Sequence, residues 1–171
     1  MQPEHPELVF RAWEAGDGKY LHTLNADPRV LQWTGDLPFK DVAEAEAFVQ
    51  SYRHFEQHGF GRWWVFRRSH GECLGWCGLR KGSHGIDFGL RWYHRYWNQG
   101  YGTRAGKAVL AWADAQQLGG LYAQHHPENH HSQRLLRSLG FRPCAAYLGS
   151  DPGWLTYYRP ASPGALPRGR R

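Results

Sequence analysis

Leu8 to Trp13 alternates apolar and polar residues and predicts an opening strand; Asp17 to Asn25 follows, with Tyr20, Leu21 and Leu24 at helical spacing. Asp41-Val42-Ala43-Glu44 has the form of a capping box, with Asp41 accepting from the helix amides and Glu44 reaching back. Ala45, Phe48, Val49 and Tyr52 then form an apolar stripe, which predicts one helix running to His58 and stopping at Gly59. Three β-rich runs, Arg62 to Arg68, Glu72 to Arg80 and Gly85 to Trp92, are divided by turn-prone segments and predict an antiparallel meander.

From Tyr101 the period changes. Tyr101, Ala105, Ala108, Val109 and Trp112 mark one face of a helix ending near Gly119-Gly120. Leu121 to His125 predicts a strand, Asn129 to Leu139 a helix closed by Gly140, and Phe141 to Leu148 and Trp154 to Tyr158 the last strands. This order predicts a mixed α/β sheet with helices on both faces, since a strand that returns through a crossover helix comes back parallel. We expect one domain over residues 1–160 and a basic, disordered tail over 161–171.

Composition adds limits to this picture. At 41% hydrophobic, 21% charged and 15% aromatic, the 171 residues have enough apolar material for a core. No segment has the length and apolarity of a membrane helix, and the first residues lack the basic and apolar regions of a secretion signal, so we expect a cytoplasmic protein. Cys73, Cys77 and Cys144 form no disulfide framework. A formal charge of +6, from 21 basic and 15 acidic residues, favours an anionic ligand without choosing among nucleic acid, a phosphate-bearing cofactor and an acidic protein.

The segment Trp97-Asn98-Gln99-Gly100-Tyr101-Gly102-Thr103 leaves a strand and opens a helix. Its glycines allow a close backbone approach, and first-turn amides suit a phosphate; a tight turn that needs glycine for its own dihedrals is the plainer reading. Arg104, a cation in that first turn, opposes the helix dipole unless an anion docks nearby. In Pro127-Glu128-Asn129-His130-His131-Ser132, Asn129 is a good N-cap, and Ser132 shares a helix face with Leu135, Leu136 and Leu139.

These two segments, together with Ile86-Asp87-Phe88-Gly89 and Leu136-Arg137-Ser138-Leu139-Gly140-Phe141, resemble the GCN5-related N-acetyltransferases (GNAT), and most of all the branch of the ribosomal-protein N-terminal acetyltransferases. The resemblance runs over about residues 7 to 160. It implies a mostly antiparallel, twisted sheet of about seven strands with a splay between the fourth and fifth. It also implies transfer of an acetyl group from acetyl-coenzyme A to a primary amine, at a protein N-terminus or on a small molecule, by direct attack in a ternary complex. Asn98, Gln99, Gly100, Tyr101, Gly102 and Thr103 would hold the pyrophosphate, main-chain groups near Arg91 and Trp92 the pantetheine amides, and Asn129 the arm. Ser132 would lie near the thioester sulfur and protonate the departing thiolate, which a hydroxyl can do.

This sequence also departs from the family pattern, with Asn98 where glycine is usual, Arg104 where glutamate is usual, Asp87 for the usual glutamate and His125 for the usual valine. His125 and Asp87 are the candidate bases for the incoming ammonium, in that order, and Trp33 lies in a loop that resembles the family's acceptor loop. Cys73 and Cys77 lack a metal knuckle spacing, and we expect no metal. A noncatalytic acyl-coenzyme A binding module and a basic nucleic-acid binder rank behind the enzyme. A monomer and a homodimer both fit, and no membrane contact is expected.

Overall fold

The computed structural model describes residues 1–145 and 151–162. Seven strands form one sheet: β1 (Leu8–Arg11), β2 (Arg62–Arg67), β3 (Cys73–Gly82), β4 (Gly85–Trp92), β5 (Leu121–His125), β6 (Arg142–Pro143) and β7 (Leu155–Arg159). Their order is β1-β2-β3-β4-β5-β7-β6, and every pairing is antiparallel except β4 with β5. That parallel seam holds only Ile86 opposite Leu121 and Asp87 opposite Tyr122 before the strands part. The expected mixed sheet and its splay are both present.

Among the described residues six α-helices flank the sheet: α1 (Gly18–Ala26), α2 (Pro28–Leu31), α3 (Val42–Ser51), α4 (His54–His58), α5 (Tyr101–Ala115) and α6 (His130–Ser138). The one helix expected over 41–58 is two. Tyr52 leaves helical geometry at ψ 88, stacks its ring 4.5 Å from that of Trp13, and its hydroxyl oxygen accepts from the Arg62 amide at 3.0 Å. Burying that ring against the sheet breaks the helix. The short α2 was not expected, although its signals are ordinary: the Asp27 carboxylate accepts from the Arg29 amide and Pro28 occupies the first turn.

α5 stops at Ala115, short of the expected glycine pair, because Gln117 takes the left-handed conformation at φ 56. Its buried face combines the small residues Ala105, Gly106, Ala108 and Ala113 with Tyr101, Val109 and Leu110. The ring of Trp112 meets that of Trp63 at 5.0 Å, and Phe88 stacks on Phe141 at 5.5 Å. Each buried ring or aliphatic side chain contributes about 1.5–3 kcal/mol of transfer free energy. Of the strand expected over 141–148, Arg142 and Pro143 pair with β7, Cys144 and Ala145 lie outside any strand, and residues 146–148 fall outside the described residues. The tail is described only to Ser162, whose hydroxyl donates to Asp114 at 2.9 Å.

Candidate functional site

A cleft of about 1170 Å³ opens where β4 and β5 separate. It is lined by Trp33, Asp87, Arg91, Trp92, Asn98, Gly100, Tyr101, Gly102, Thr103, His125, Asn129 and Ser132, so residues from five separate segments converge there. Gln99 is the exception: its side-chain amide turns back to donate to the Arg95 carbonyl at 2.8 Å.

One end of the cleft is the loop leading into α5. Asn98 and Gly100 take left-handed dihedrals, φ 59 and φ 78, a conformation that asparagine tolerates and glycine adopts freely. A Cβ on Gly100 would have only the Arg104 side chain near it, at 3.9 Å, so dihedral angle explains this glycine. Gly102 has a different reason. A Cβ there would stand 3.0 Å from Leu135 Cδ2 and 3.3 Å from Trp92 Nε1, so its absence lets α5, α6 and β4 close together. The main-chain amides of Gln99 to Thr103 find no acceptor among the described residues. A run of amides at a helix start, turned by left-handed residues, is suited to a phosphate.

Arg104 does not wait there for an anion. Its guanidinium pairs with the Glu7 carboxylate and donates to the Gln99 carbonyl at 2.7 Å, while lying over the Tyr101 ring at 4.5 Å. Glu7 neutralises the cation that would oppose the dipole, and the arginine takes loop carbonyls, leaving the amides open.

The middle of the cleft carries Ser132 and His125. The Asn129 side chain caps α6 by accepting from the Ser132 amide at 3.1 Å, which fixes Ser132 in the first turn. The Ser132 hydroxyl makes no hydrogen bond to the described residues. His125 is 2% exposed, with Nδ1 2.7 Å from the His126 carbonyl oxygen. A carbonyl only accepts, so Nδ1 carries the proton and Nε2 the lone pair. That Nε2 is buried without a partner among the described residues. Burial lowers the His125 pKa below the ordinary 6.5, and the neighbouring His130 and His126 add to this, so the ring is neutral at pH 7.

Strand alternation puts His125 on the sheet face of Leu121, and so of Ile86 and Phe88, beside α5 and α6; Asp87, Gly89 and Arg91 point to the other face. The two candidate bases therefore approach the split from opposite sides. Asp87 is half-buried, and desolvation raises its carboxyl pKa above the ordinary 3.8 although Arg62 and Arg80 pull it down. Its Oδ2 is 4.0 Å from an Nη2 of each.

The Arg91 side chain lines the cleft but is spent on other elements. It donates to Asn25 Oδ1 and to Asp36 Oδ2, each at 2.7 Å, and so ties α1 and the loop after α2 to β4. The Trp92 carbonyl accepts from Trp97 Nε1 at 3.0 Å, which leaves fewer of its main-chain groups free than expected. Trp33 stands at the rim with its ring 5.7 Å from that of His126, which is 6.1 Å from Trp154. Arg62, Arg80 and Trp154 join the site unforeseen. Only strand register brings the two arginines to Asp87, and that has no local signal. Cys73 and Cys77 are buried in β3, where burial pushes the Cys73 thiol up to about 12 and Cys77 higher still, so neither is a thiolate at neutral pH. Among the described residues no three His, Cys, Asp or Glu side chains converge on a point, and no helix is long and apolar enough to cross a membrane.

A family model of the acetyltransferase (GNAT) domain matches residues 7–142. Among solved structures the chain is similar to an acetyltransferase from Agrobacterium tumefaciens str. C58, at 22% identity and TM-score 0.79 over 92% of this chain and 94% of that one. It is similar to the ribosomal L7/L12 alpha-N-protein acetyltransferase RimL in complex with coenzyme A, at 19% identity and TM-score 0.75 over 92% and 96%. It is also similar to spermidine N-acetyltransferase from Vibrio cholerae in complex with coenzyme A and spermine, at 17% identity and TM-score 0.74 over 92% and 97%.

Proposed function

The chain belongs to the acetyltransferase (GNAT) domain family, and from that membership we propose that it transfers an acetyl group from acetyl-coenzyme A to a primary amine by direct attack. The observation that carries this reading is the run of amides at Gln99 to Thr103, which find no acceptor among the described residues, at the cleft that also holds the Ser132 hydroxyl and the His125 Nε2, both without a partner among those residues.

In this reading each residue has one task. The amides of the α5 loop bind the pyrophosphate of the donor substrate, with Gly100 keeping the approach clear of a side chain. Main-chain groups of β4 past Asp87, which have no β5 partner, bind the amides of the pantetheine arm, and the Asn129 amide nitrogen holds it from α6. A main-chain amide near Arg91 polarises the thioester carbonyl. Ser132 donates its proton to the leaving thiolate, so the charge on sulfur is quenched as the carbon–sulfur bond breaks. His125 Nε2 takes the proton from the attacking nitrogen, directly or through one water, and its lowered pKa keeps that lone pair available at neutral pH. Asp87 sits on the acceptor side, with Arg62 and Arg80 each 4.0 Å from its Oδ2. Trp33 forms part of the acceptor rim. Residues 1–160 act as one catalytic domain in a reducing compartment.

Calorimetry with acetyl-coenzyme A on the wild type and Gly100→Asp tests the donor side. Aspartate tolerates the left-handed dihedral but sets a carboxylate beside the phosphates, so micromolar binding is expected in the wild type and its loss in the variant. Thiol release in the presence of amines then tests transfer. Absence of wild-type binding overturns the proposal.

A further inference from the structure

The register of β2, β3 and β4 lays three rows of residues across the sheet face that carries Asp87. Trp64, Trp76 and Arg91 make one row, Arg62, Gly78 and Gly89 the next, and Arg80 and Asp87 the third. Two glycines in the middle row leave a furrow that runs from Arg62 toward the split between β4 and β5. Gly78 is forced, because a Cβ there would lie 2.2 Å from the Gly61 carbonyl oxygen. Gly89 is not forced, because a Cβ would only touch the Trp76 ring at 3.4 Å. The Trp76 ring lies along one side of the furrow, with the Arg62 guanidinium 4.4 Å from its centroid.

The two arginines in this furrow differ from four of the others paired in the protein. Arg11, Arg29, Arg91 and Arg159 each hold a carboxylate at 2.6–2.8 Å. Arg62 and Arg80 share one oxygen of Asp87, each at 4.0 Å, beyond hydrogen-bond reach, and neither guanidinium makes a hydrogen bond to any described residue. Asp151 also acts electrostatically on Asp87, and it has interactions of its own. Arg62 has only 23% of its side chain exposed and lines the cleft. A desolvated guanidinium with unspent donors is costly, and a planar two-oxygen anion satisfies it with paired hydrogen bonds.

We propose that Arg62 and Arg80 form a carboxylate-binding subsite, so that the amine acetylated here carries a carboxylate of its own. This rests on the acetyl-transfer reading above. The carboxylate is the α-carboxylate of a free amino acid or an acidic side chain close behind a peptide N-terminus; the shared chemistry is an amine and a carboxylate on one acceptor. Asp87 holds the two guanidiniums side by side against their mutual repulsion, and the carboxylate lies between them over the furrow. A polyamine would present a second cation to the same arginines and is excluded by that charge.

The test uses the full chain, acetyl-coenzyme A and matched acceptors: phenylalanine against phenethylamine, C-terminally amidated Ser-Glu-Ala against Ser-Gln-Ala, and spermidine. In whichever pair matches the source, the carboxylated member should have kcat/KM at least about tenfold higher. Arg62→Gln and Arg80→Gln should each raise its KM about tenfold or more, with kcat and acetyl-coenzyme A affinity nearly unchanged, and should erase the preference. Arg80 is 53% exposed, so its variant is expected to fold even where that of Arg62 does not. Arg80→Glu should shift preference toward spermidine. Equal turnover within both pairs, a preference that survives both substitutions, or spermidine as the best acceptor overturns the subsite while leaving acetyl transfer standing. Acetyl-coenzyme A binding with no acceptor in the panel acetylated also overturns it. Failure to bind acetyl-coenzyme A overturns the underlying reading instead.

Discussion

His125 Nδ1 and the carbonyl oxygen of His126 lie 2.7 Å apart, and this single contact fixes which nitrogen of a buried ring can act as a base. The lone pair is on Nε2, the atom that has no partner among the described residues. His125→Asn removes it and should lower kcat about a hundredfold, with little change in acetyl-coenzyme A affinity. Because burial holds the imidazole below 6.5, the acid limb of kcat/KM should fall below that pH in the wild type and disappear in the variant. A pH–rate profile of the two proteins decides it, and an unchanged acid limb in the variant would remove His125 from the chemistry.

Ser132 offers a cleaner separation of stability from catalysis. Its amide is engaged by the Asn129 cap, but its hydroxyl has no partner among the described residues. Ser132→Ala should therefore leave the unfolding midpoint unchanged while lowering kcat roughly tenfold to a hundredfold. Steady-state kinetics and a urea titration on one preparation are sufficient; a large loss of cofactor affinity with normal turnover would contradict the assigned role.

Asn129 has two functions that can be separated. Its Oδ1 caps α6, and its amide nitrogen is the group assigned above to the pantetheine arm. Asn129→Asp keeps the cap and should retain full stability, while Asn129→Ala should cost about 1 kcal/mol. Both variants should bind acetyl-coenzyme A more weakly. Equal binding by Asn129→Asp and wild type would leave the residue with the cap alone.

Away from the cleft, His54 makes stability depend on pH. Its Nε2 accepts from the Lys81 amide at 2.7 Å, and burial with nearby His58, Arg62 and Arg80 lowers its pKa to about 4. The unfolded chain, with the ordinary 6.5, binds more protons between these values, so stability is full above 6.5 and falls as pH drops toward 4. The ring is partly exposed, and after discounting for solvent screening the loss from pH 7 to pH 5 should be about 1 kcal/mol. Asp87, raised above 3.8, contributes the opposite sign near the lower end. Urea unfolding at both pH values should show a smaller difference in His54→Gln than in the wild type.

Features written within one segment were legible in the sequence. The strands Gly85–Trp92 and Leu121–His125 have the expected bounds, and Asn129 caps α6 as its spacing implied. Asp41 accepts from the Glu44 amide at 2.8 Å, although Glu44 reaches back to the Lys40 amide, one residue before the one expected. Features that depend on distant partners were not legible. Arg104 in the first turn of α5 reads as an unbalanced cation until Glu7, ahead of β1, is found against it. Tyr52 reads as one more residue of a helical stripe until the Arg62 amide and the Trp13 ring claim it. The furrow at Gly78 and Gly89 exists only through pairing register, which alternation within one strand cannot give.

The two-rung seam between β4 and β5 makes the sheet two leaves, β1 to β4 and β5 to β7, sewn together at one end. Under the proposed function, a peptide-like ligand lying in the gap would act as a guest strand that continues the stitching. Amide hydrogen exchange along Phe88 to Trp92 then becomes a direct gauge of occupancy, slowing as the gap fills, and a stabilised protein and a loaded one become the same measurement.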